Sequence, residues 1–312
     1  MELSIVIPTF NRKKKLNRLI KKILKSVSLK YPSKFEIIIV DDCSTDNSYE
    51  FIKRKYKKVP NLRIFQNKSN RRKSYCVNFG YQMSKGKFIY FLDDDTLLNE
   101  YSINPLIDYL KNNGNNHVLG SLICYKENPK IIWFAGLKMN KWTTSGKFLY
   151  QNINITQLNK IAIIPTDGII TSLFLHRDAF IKIGFFNSNL FPFHFEELDF
   201  CIRAKFQGYN LNIIPDSIIW HDHEKAIFIK TPWRLYFEVR NRIIAAKLWS
   251  NHFIQCLSAT IFALYYPFIY LIIKIFIYPN SLFACLRSLF RGVKDGLMIS
   301  LNQKPYYIQY KR

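Results

Sequence analysis

Short apolar runs recur through the first hundred residues, each followed by a longer segment with cations on one side and aliphatics on the other, and few folds accept that alternation. Leu3 to Pro8, Phe35 to Val40, Leu62 to Phe65 and Lys87 to Leu92 read as buried strands. Between them, Lys13 to Leu29, Asp46 to Tyr56 and Lys73 to Met83 carry apolar residues at helical spacing, as in Leu16, Leu19, Ile20, Ile23, Leu24 and Val27. Repeated β-α-β units predict an α/β fold, a doubly wound and mainly parallel sheet. Ligands of such sheets bind outside the carboxyl ends of the strands. Here those ends carry Pro8-Thr9, Asp41-Asp42 and Asp93-Asp94-Asp95.

The last of these is the densest. Five apolar or aromatic residues, Phe88 to Leu92, deliver three carboxylates to a strand end. Adjacent carboxylates repel, and desolvation makes this worse, so such a cluster persists best where Mg²⁺ or Mn²⁺ takes up the charge. A solvated acidic turn is the plainer alternative. At the second strand end, Asp46 suits the cap of the following helix, whereas Asp42 suits a base N–H or a ribose hydroxyl.

At 312 residues, of which 48% are hydrophobic, the chain is long enough for one large domain and an appendage. Its 46 Lys and Arg against 22 Asp and Glu give a net charge of +24, which implies an anionic partner: nucleic acid, an anionic membrane surface or phosphorylated substrates. Six cysteines occur without a Cys-x-x-Cys pair, which argues against a zinc site and fits a reducing compartment. The run Leu3 to Ile7, interrupted at Pro8, is too short for a signal peptide, so cytoplasmic residence is expected.

These segments together resemble a family 2 glycosyltransferase of the nucleotide-sugar-binding GT-A fold, over about residues 3 to 223. Ser4-Ile-Val-Ile-Pro-Thr-Phe-Asn-Arg12 is similar to the family's first strand. The resemblance assigns Pro8, Thr9, Asn11 and Arg12 to the nucleotide pocket. Glu36 to Asp46 resembles the second strand, with Asp41 and Asp42 at the nucleotide and Asp42 at the base. Leu92-Asp-Asp-Asp-Thr96 resembles the metal motif, with Asp93 and Asp94 at the donor and Asp95 the direct ligand. Asn78 keeps the place of the family's Arg-Asn pair, but Arg71, Arg72 and Lys73 stand where small residues are common, and read as a diphosphate clamp or a solvated loop tip. Asp167 to Arg177 resembles the segment carrying a glycine near the donor sugar, here Gly168. Glu196-Glu197-Leu-Asp199 matches the acidic motif, in which the second acid is the catalytic base, here Glu197, with Glu196 as its rival.

Chemistry supports the same assignment. Transfer from a nucleotide diphosphate sugar needs a carboxylate to take the acceptor proton and a cation to stabilise the departing diphosphate. On a helix starting near Glu196, residues 196 and 199 share a face while 197 points about 100° away, so the three acids divide their roles, one serving the positive helix terminus. In Trp220-His-Asp-His223, after a strand over Leu211 to Ile214 and a turn at Pro215 to Ser217, His221 and His223 face one side. His221 matches a histidine that relatives use as a further metal ligand. Residues Lys126 to Pro165 are expected to form an irregular insertion over sugar or acceptor, with Trp133 and Trp142 as stacking faces, core packing being the equal alternative for these aromatics.

After His223 the character changes. Leu248 to Ile273 carries no formal charge, long enough to span a bilayer, but Pro267 and several polar residues interrupt it and cations flank both sides. A re-entrant or interfacial hairpin within 248–300 on the cytoplasmic leaflet is the expectation, a buried helical subdomain the alternative. The domains expected are 1–224, catalytic, and 225–312, helical and membrane-associated. The function expected is metal-dependent, inverting transfer of a sugar to a glycan or lipid-linked glycan, most like rhamnosyl- or galactofuranosyltransferases of surface polysaccharide. Alternatives are a polyprenyl-phosphate sugar synthase and a basic nucleic-acid-binding protein; the scattered cations and lack of an RNA-binding motif disfavour the latter.

Overall fold

The computed structural model describes residues 1–27, 34–140, 142–158, 161–222, 232–250, 253–254, 256–262, 264–265 and 282–299. Strands β1 (Leu3–Thr9), β2 (Phe35–Asp41), β3 (Leu62–Gln66) and β4 (Phe88–Leu92) alternate with α1 (Lys13–Val27), α2 (Ser48–Lys55) and α3 (Arg72–Met83). Every residue of β1, β2 and β4 is buried. Covered on both faces, these strands are apolar throughout instead of alternating.

The chain continues through β5 (Thr96–Leu98), α4 (Asn104–Asn113), β6 (His117–Tyr125), β7 (Ile132–Phe134), β8 (Leu137–Met139), β9 (Gly146–Phe148), β10 (Ile164–Pro165), β11 (Ser172–His176), α5 (Arg177–Ile183), α6 (Glu196–Phe206) and β12 (Asn210–His221). The main sheet has the order β10-β12-β6-β11-β4-β1-β2-β3. Its β4-β1-β2-β3 half is parallel, as expected. The other half is mixed, because β11 runs antiparallel between β4 and β6 while β6 and β12 are parallel.

One expectation is corrected here. Pro215 to Ser217 is not a turn but an irregularity inside β12, where the register with β6 shifts between Ile214 and Ile218. Proline has no N–H for the ladder, and a bulge accommodates that without ending the strand. The strand resumes and pairs with β5, setting His221 opposite Thr96. That pairing carries a histidine to the end of the triple aspartate.

Helices α7 (Pro232–Trp249) and α8 (Leu282–Met298) follow. They pack through Leu235, Val239, Ile243, Cys285 and Leu289. The approach is close enough that a Cβ on Gly292 would stand 2.8 Å from the Tyr236 carbonyl oxygen. Another face of α7 joins the core of the sheet through Ile244, Ala245, Leu248 and Trp249. Trp249 lies 6.1 Å from the Phe191 ring and 5.9 Å from Phe195, and burying an indole of about 150–250 Å² contributes up to about 4–6 kcal/mol. Much of the uncharged run 248–273, and His223, lie outside the described residues. Among the described residues no helix is long and apolar enough to cross a membrane.

Candidate active site

The three strand-end aspartates diverge. Thr9 ends β1 and donates its hydroxyl to Asp94 Oδ2 at 2.6 Å. Arg12, just before α1, sets Nη1 2.9 Å from Asp94 Oδ1 and 2.5 Å from Asp95 Oδ2. Asp93 turns the other way, with Oδ1 2.7 Å from Lys73 Nζ. Arg12 and Lys73 therefore relieve much of the repulsion that the sequence reading leaves to a metal. Burial pushes Asp94 up to about 6 in spite of Arg12. Burial also opposes ionisation of Asp95, but His221 and Arg12 outweigh it and hold that carboxyl well below the usual range.

The end of β2 is a loop-building station. Asp42 Oδ1 accepts from Asn67 Nδ2 at 2.8 Å and from the Arg71 amide at 2.7 Å, and Oδ2 accepts from the Arg72 amide at 2.8 Å. These donors tie it to the start of α3, the capping work that the sequence reading gives to Asp46. Asp46 caps as expected, accepting from Ser48 N at 3.0 Å and Lys13 N at 3.0 Å. Asp41 Oδ1 accepts from Ser44 N and the Gln66 amide, while its Oδ2 is buried without a hydrogen-bond partner. Between the two aspartates, Asp41 keeps the open acceptor. Asn11 bridges the loops after β1 and β2: its side chain accepts from Thr45 N at 2.7 Å and its amide donates to Ser44 Oγ at 2.8 Å.

Opposite these strand ends stands the first turn of α6. Lys73 Nζ reaches Glu197 Oε1 at 3.1 Å and Glu196 Oε1 at 3.5 Å as well as Asp93. Pro8, Lys73, Asp93, Glu196 and Glu197 line one crevice. The helical-face expectation for the acids is corrected: 196 and 197 act together, because two long side chains in a first turn both reach one ammonium. Asp199 is fully buried and pairs with Arg203 Nε at 2.9 Å. Arg203 in turn donates to the carbonyls of Ile183, Gly184 and Phe185. Asp199 is thus a structural partner and not a third acid of the crevice.

Glu197 Oε1 also accepts from the Thr171 amide at 2.8 Å. Thr171 has φ 67°, and His194 and Phe195, just before α6, have φ 61° and 69°. Such left-handed conformations cost on the order of 1–3 kcal/mol each outside glycine and persist only where neighbours enforce them. Here α7 enforces the last two. The fully buried Asn241 donates to the Phe193 carbonyl at 2.7 Å and the His194 carbonyl at 2.9 Å, and Arg240 donates to Leu190 O at 2.7 Å. The sequence reading misses both residues; the signal was a polar Arg-Asn-Arg run inside a helix that is otherwise largely apolar.

The remaining expectations divide. His221 Nε2 lies 3.1 Å from Asp95 Oδ1. Trp133 stacks on His221 at 4.5 Å and 11°, so the insertion does contribute an aromatic face, directed at this imidazole. Asn78 gives its amide to the Phe186 backbone, accepting at 3.0 Å and donating at 2.9 Å, which positions the turn before α6. Gly168 is a packing glycine: a Cβ there would stand 2.6 Å from Leu198 on α6. Lys73 is no solvated loop tip, since its side chain is only 19% exposed.

With this geometry in place, comparison with known proteins is specific. The family model described as Glycosyl transferase family 2 matches residues 4–184. Poly(ribitol-phosphate) beta-N-acetylglucosaminyltransferase TarP of Staphylococcus aureus (strain N315) is 33% identical over 120 residues, 38% of this chain and 36% of that protein. GalNAc(5)-diNAcBac-PP-undecaprenol beta-1,3-glucosyltransferase of Campylobacter jejuni is 30% identical over 141 residues, 45% of this chain and 44% of that one. The matched stretch is thus less than half the length of either relative. Among solved structures, GalNAc-T7 with UDP, GalNAc and Mn²⁺ superposes with a TM-score of 0.65 at 17% identity, over 81% of this chain and 48% of the other. That likeness shows the GT-A fold.

Proposed function

The chain belongs to glycosyl transferase family 2, and from that premise we propose that it moves a sugar from a nucleotide diphosphate donor to a hydroxyl of a glycan or lipid-linked acceptor, with inversion. One observation carries the reading: Lys73 gathers Asp93 from the metal motif and Glu196 and Glu197 from the acidic motif at a single crevice. Two acidic segments a hundred residues apart in the chain face one another as the chemistry requires.

In this reading Glu197 is the base. Its side chain is 15% exposed against 4% for Glu196, so it is the acid that an entering hydroxyl meets. Burial pushes its carboxyl up to about 8 in spite of Lys73, near the value at which a general base works best in neutral solution. Glu197 takes the acceptor proton as the acceptor oxygen bonds to the anomeric carbon, and the bond from that carbon to the diphosphate oxygen breaks. The open Oδ2 of Asp41 suits an N–H of the base, while Thr9, Asn11 and Arg12 shape the floor of the nucleotide pocket.

Asp95 and His221 fit a divalent cation. They offer a carboxylate oxygen and an imidazole nitrogen side by side, and these two would hold Mn²⁺ or Mg²⁺. Among the described residues no group of three or more acids, histidines or cysteines is arranged to hold a metal ion. When bound, the cation offsets charge on the leaving diphosphate. The names of the relatives and the UDP in the neighbouring structure favour a UDP-hexose or UDP-N-acetylhexosamine donor over a rhamnosyl or galactofuranosyl one. With UDP, dTDP and GDP sugars supplied in turn, one donor is expected to be consumed only with Mn²⁺ or Mg²⁺. Asp95→Ala is expected to weaken binding of that donor by about tenfold or more, about 1.4 kcal/mol. Failure of every donor under every metal condition would sink the proposal.

The same reading sets the C-terminal helices against an anionic membrane surface on the cytoplasmic side. Phe283, Phe290 and Leu297 recur every seven residues on α8 and are exposed, as are Arg287, Arg291 and Lys294. Apolar contact plus about 1 kcal/mol per cation supports interfacial binding. The chain is expected to sediment with phosphatidylglycerol vesicles, to leave them at high salt and to ignore phosphatidylcholine vesicles. Equal partition between the two lipids would remove the membrane reading.

A further inference from the structure

Lys73 is the side chain that the proposed chemistry does not use, although it stands at the centre of it. It belongs to the first turn of α3, where a cation opposes the positive end of the helix dipole. It is mostly buried, and its ammonium lies 2.7 Å from Asp93, 3.1 Å from Glu197 and 3.5 Å from Glu196. Nothing about helix formation favours it there, and a desolvated lysine costs several kcal/mol unless anions hold it. Its position is stable because of what surrounds it. Among the described residues, the groups facing Glu197 are Lys73 from α3, Asp93 from the end of β4, Glu196 beside it and the buried Cys201 thiol one turn on in α6, and the Thr171 amide ahead of β11. His194, which also faces Lys73, is pushed down to about 4 by burial and is uncharged at neutral pH.

We propose that Lys73 is a positioning residue of the transfer reaction, aiming Glu197 at the crevice and favouring its carboxylate form while tying that base to Asp93 at the donor end. The inference rests on the reading of Glu197 as the base. One ammonium serves three carboxylates, so the cluster carries an excess of negative charge that opposes ionisation of Glu197. Burial and the neighbouring acids raise the Glu197 carboxyl, and Lys73 is the largest influence lowering it. An opposite charge at this distance lowers a carboxyl pKa by about 1–3 units. Without the ammonium, Glu197 would hold its proton further into alkaline solution, and a smaller fraction of molecules would carry the free base at any given pH. A merely structural lysine would affect folding and leave that titration unchanged.

The test compares wild type with Lys73→Met and Lys73→Arg. The Glu197 carboxyl is followed by isotope-edited spectroscopy of glutamate-labelled protein and assigned by its loss in Glu197→Gln. In parallel, kcat/KM for hydrolysis of UDP-N-acetylglucosamine and UDP-glucose is measured against pH. Lys73→Met is expected to move the carboxyl midpoint, and the acid limb of the rate profile, upward by about 1–3 pH units. At pH 8 the rate then falls at least about fivefold and partly recovers in more alkaline solution. Lys73→Arg, which keeps the charge, is expected to restore most of the midpoint. A midpoint unmoved in a folded Lys73→Met protein overturns the proposal. If Lys73→Met does not fold, Lys73→Gln gives the same comparison, and an unmoved midpoint there has the same meaning. Should Glu197→Gln hydrolyse either donor at the wild-type rate, the base reading falls, while the carboxyl titration still reports on Lys73.

Discussion

Glu197→Gln is expected to lower turnover by about 10²–10⁴-fold, the usual contribution of a positioned base, with donor affinity held within a few-fold. The replacement keeps the size of the side chain and an oxygen for the Thr171 amide, so the first turn of α6 and the crevice retain their shape. What it removes is the ability to accept a proton. Glu196→Gln is expected to cost less, because that side chain is almost wholly enclosed. The wild-type pH profile gives a second readout. Activity of the free enzyme requires ionised Glu197, so kcat/KM should rise with pH through about 8 and flatten above it. At pH 7 roughly a tenth of the molecules would hold the base ionised. If Glu196→Gln abolishes turnover and Glu197→Gln does not, the two roles exchange.

Asp199→Ala is expected to be the most damaging single change to stability. It leaves Arg203 charged and buried without its carboxylate, and breaking a buried pair from one side costs about 3–5 kcal/mol. At a few degrees per kcal/mol for a domain of this size, the melting midpoint should fall by roughly 10 °C. Arg203→Met should be comparably severe, since it also strips donors from the carbonyls of Ile183, Gly184 and Phe185. The double variant Asp199→Leu with Arg203→Met should be less damaged than the sum of the two, because no isolated charge remains. Thermal melts and turnover at saturating donor separate the possibilities. A stable Asp199→Ala protein with no turnover would return Asp199 to the catalytic group.

Residues far apart in the chain were legible as partners only when each carried its own signal. The strands around β1 were readable because burial on both faces leaves uninterrupted apolar runs, and their acidic ends followed from the fold. Asp95 and His221 were readable through resemblance, and their 3.1 Å separation bears on that pairing. Their meeting depended on β12 continuing past Pro215, which the local turn signal argued against. Asp41 and Asp42 are adjacent in sequence and opposite in circumstance, one with an open oxygen and the other committed to the amides of Arg71 and Arg72. Composition and spacing treat them alike.

Local chemistry in the chain determined the strand and helix periods, the crowding of carboxylates at strand ends and the acidic first turn of α6, since each arises from residues near one another in sequence. The tertiary structure alone decided that Lys73 is enclosed instead of solvated, that Asn78 and Asp199, the latter through Arg203, brace the turn after α5, and that Arg240 and Asn241 hold the strained approach to α6. Burial and a charged partner set the role of each of these side chains. Both are supplied by elements that lie tens to more than a hundred residues away and meet only when the sheet and its helices close.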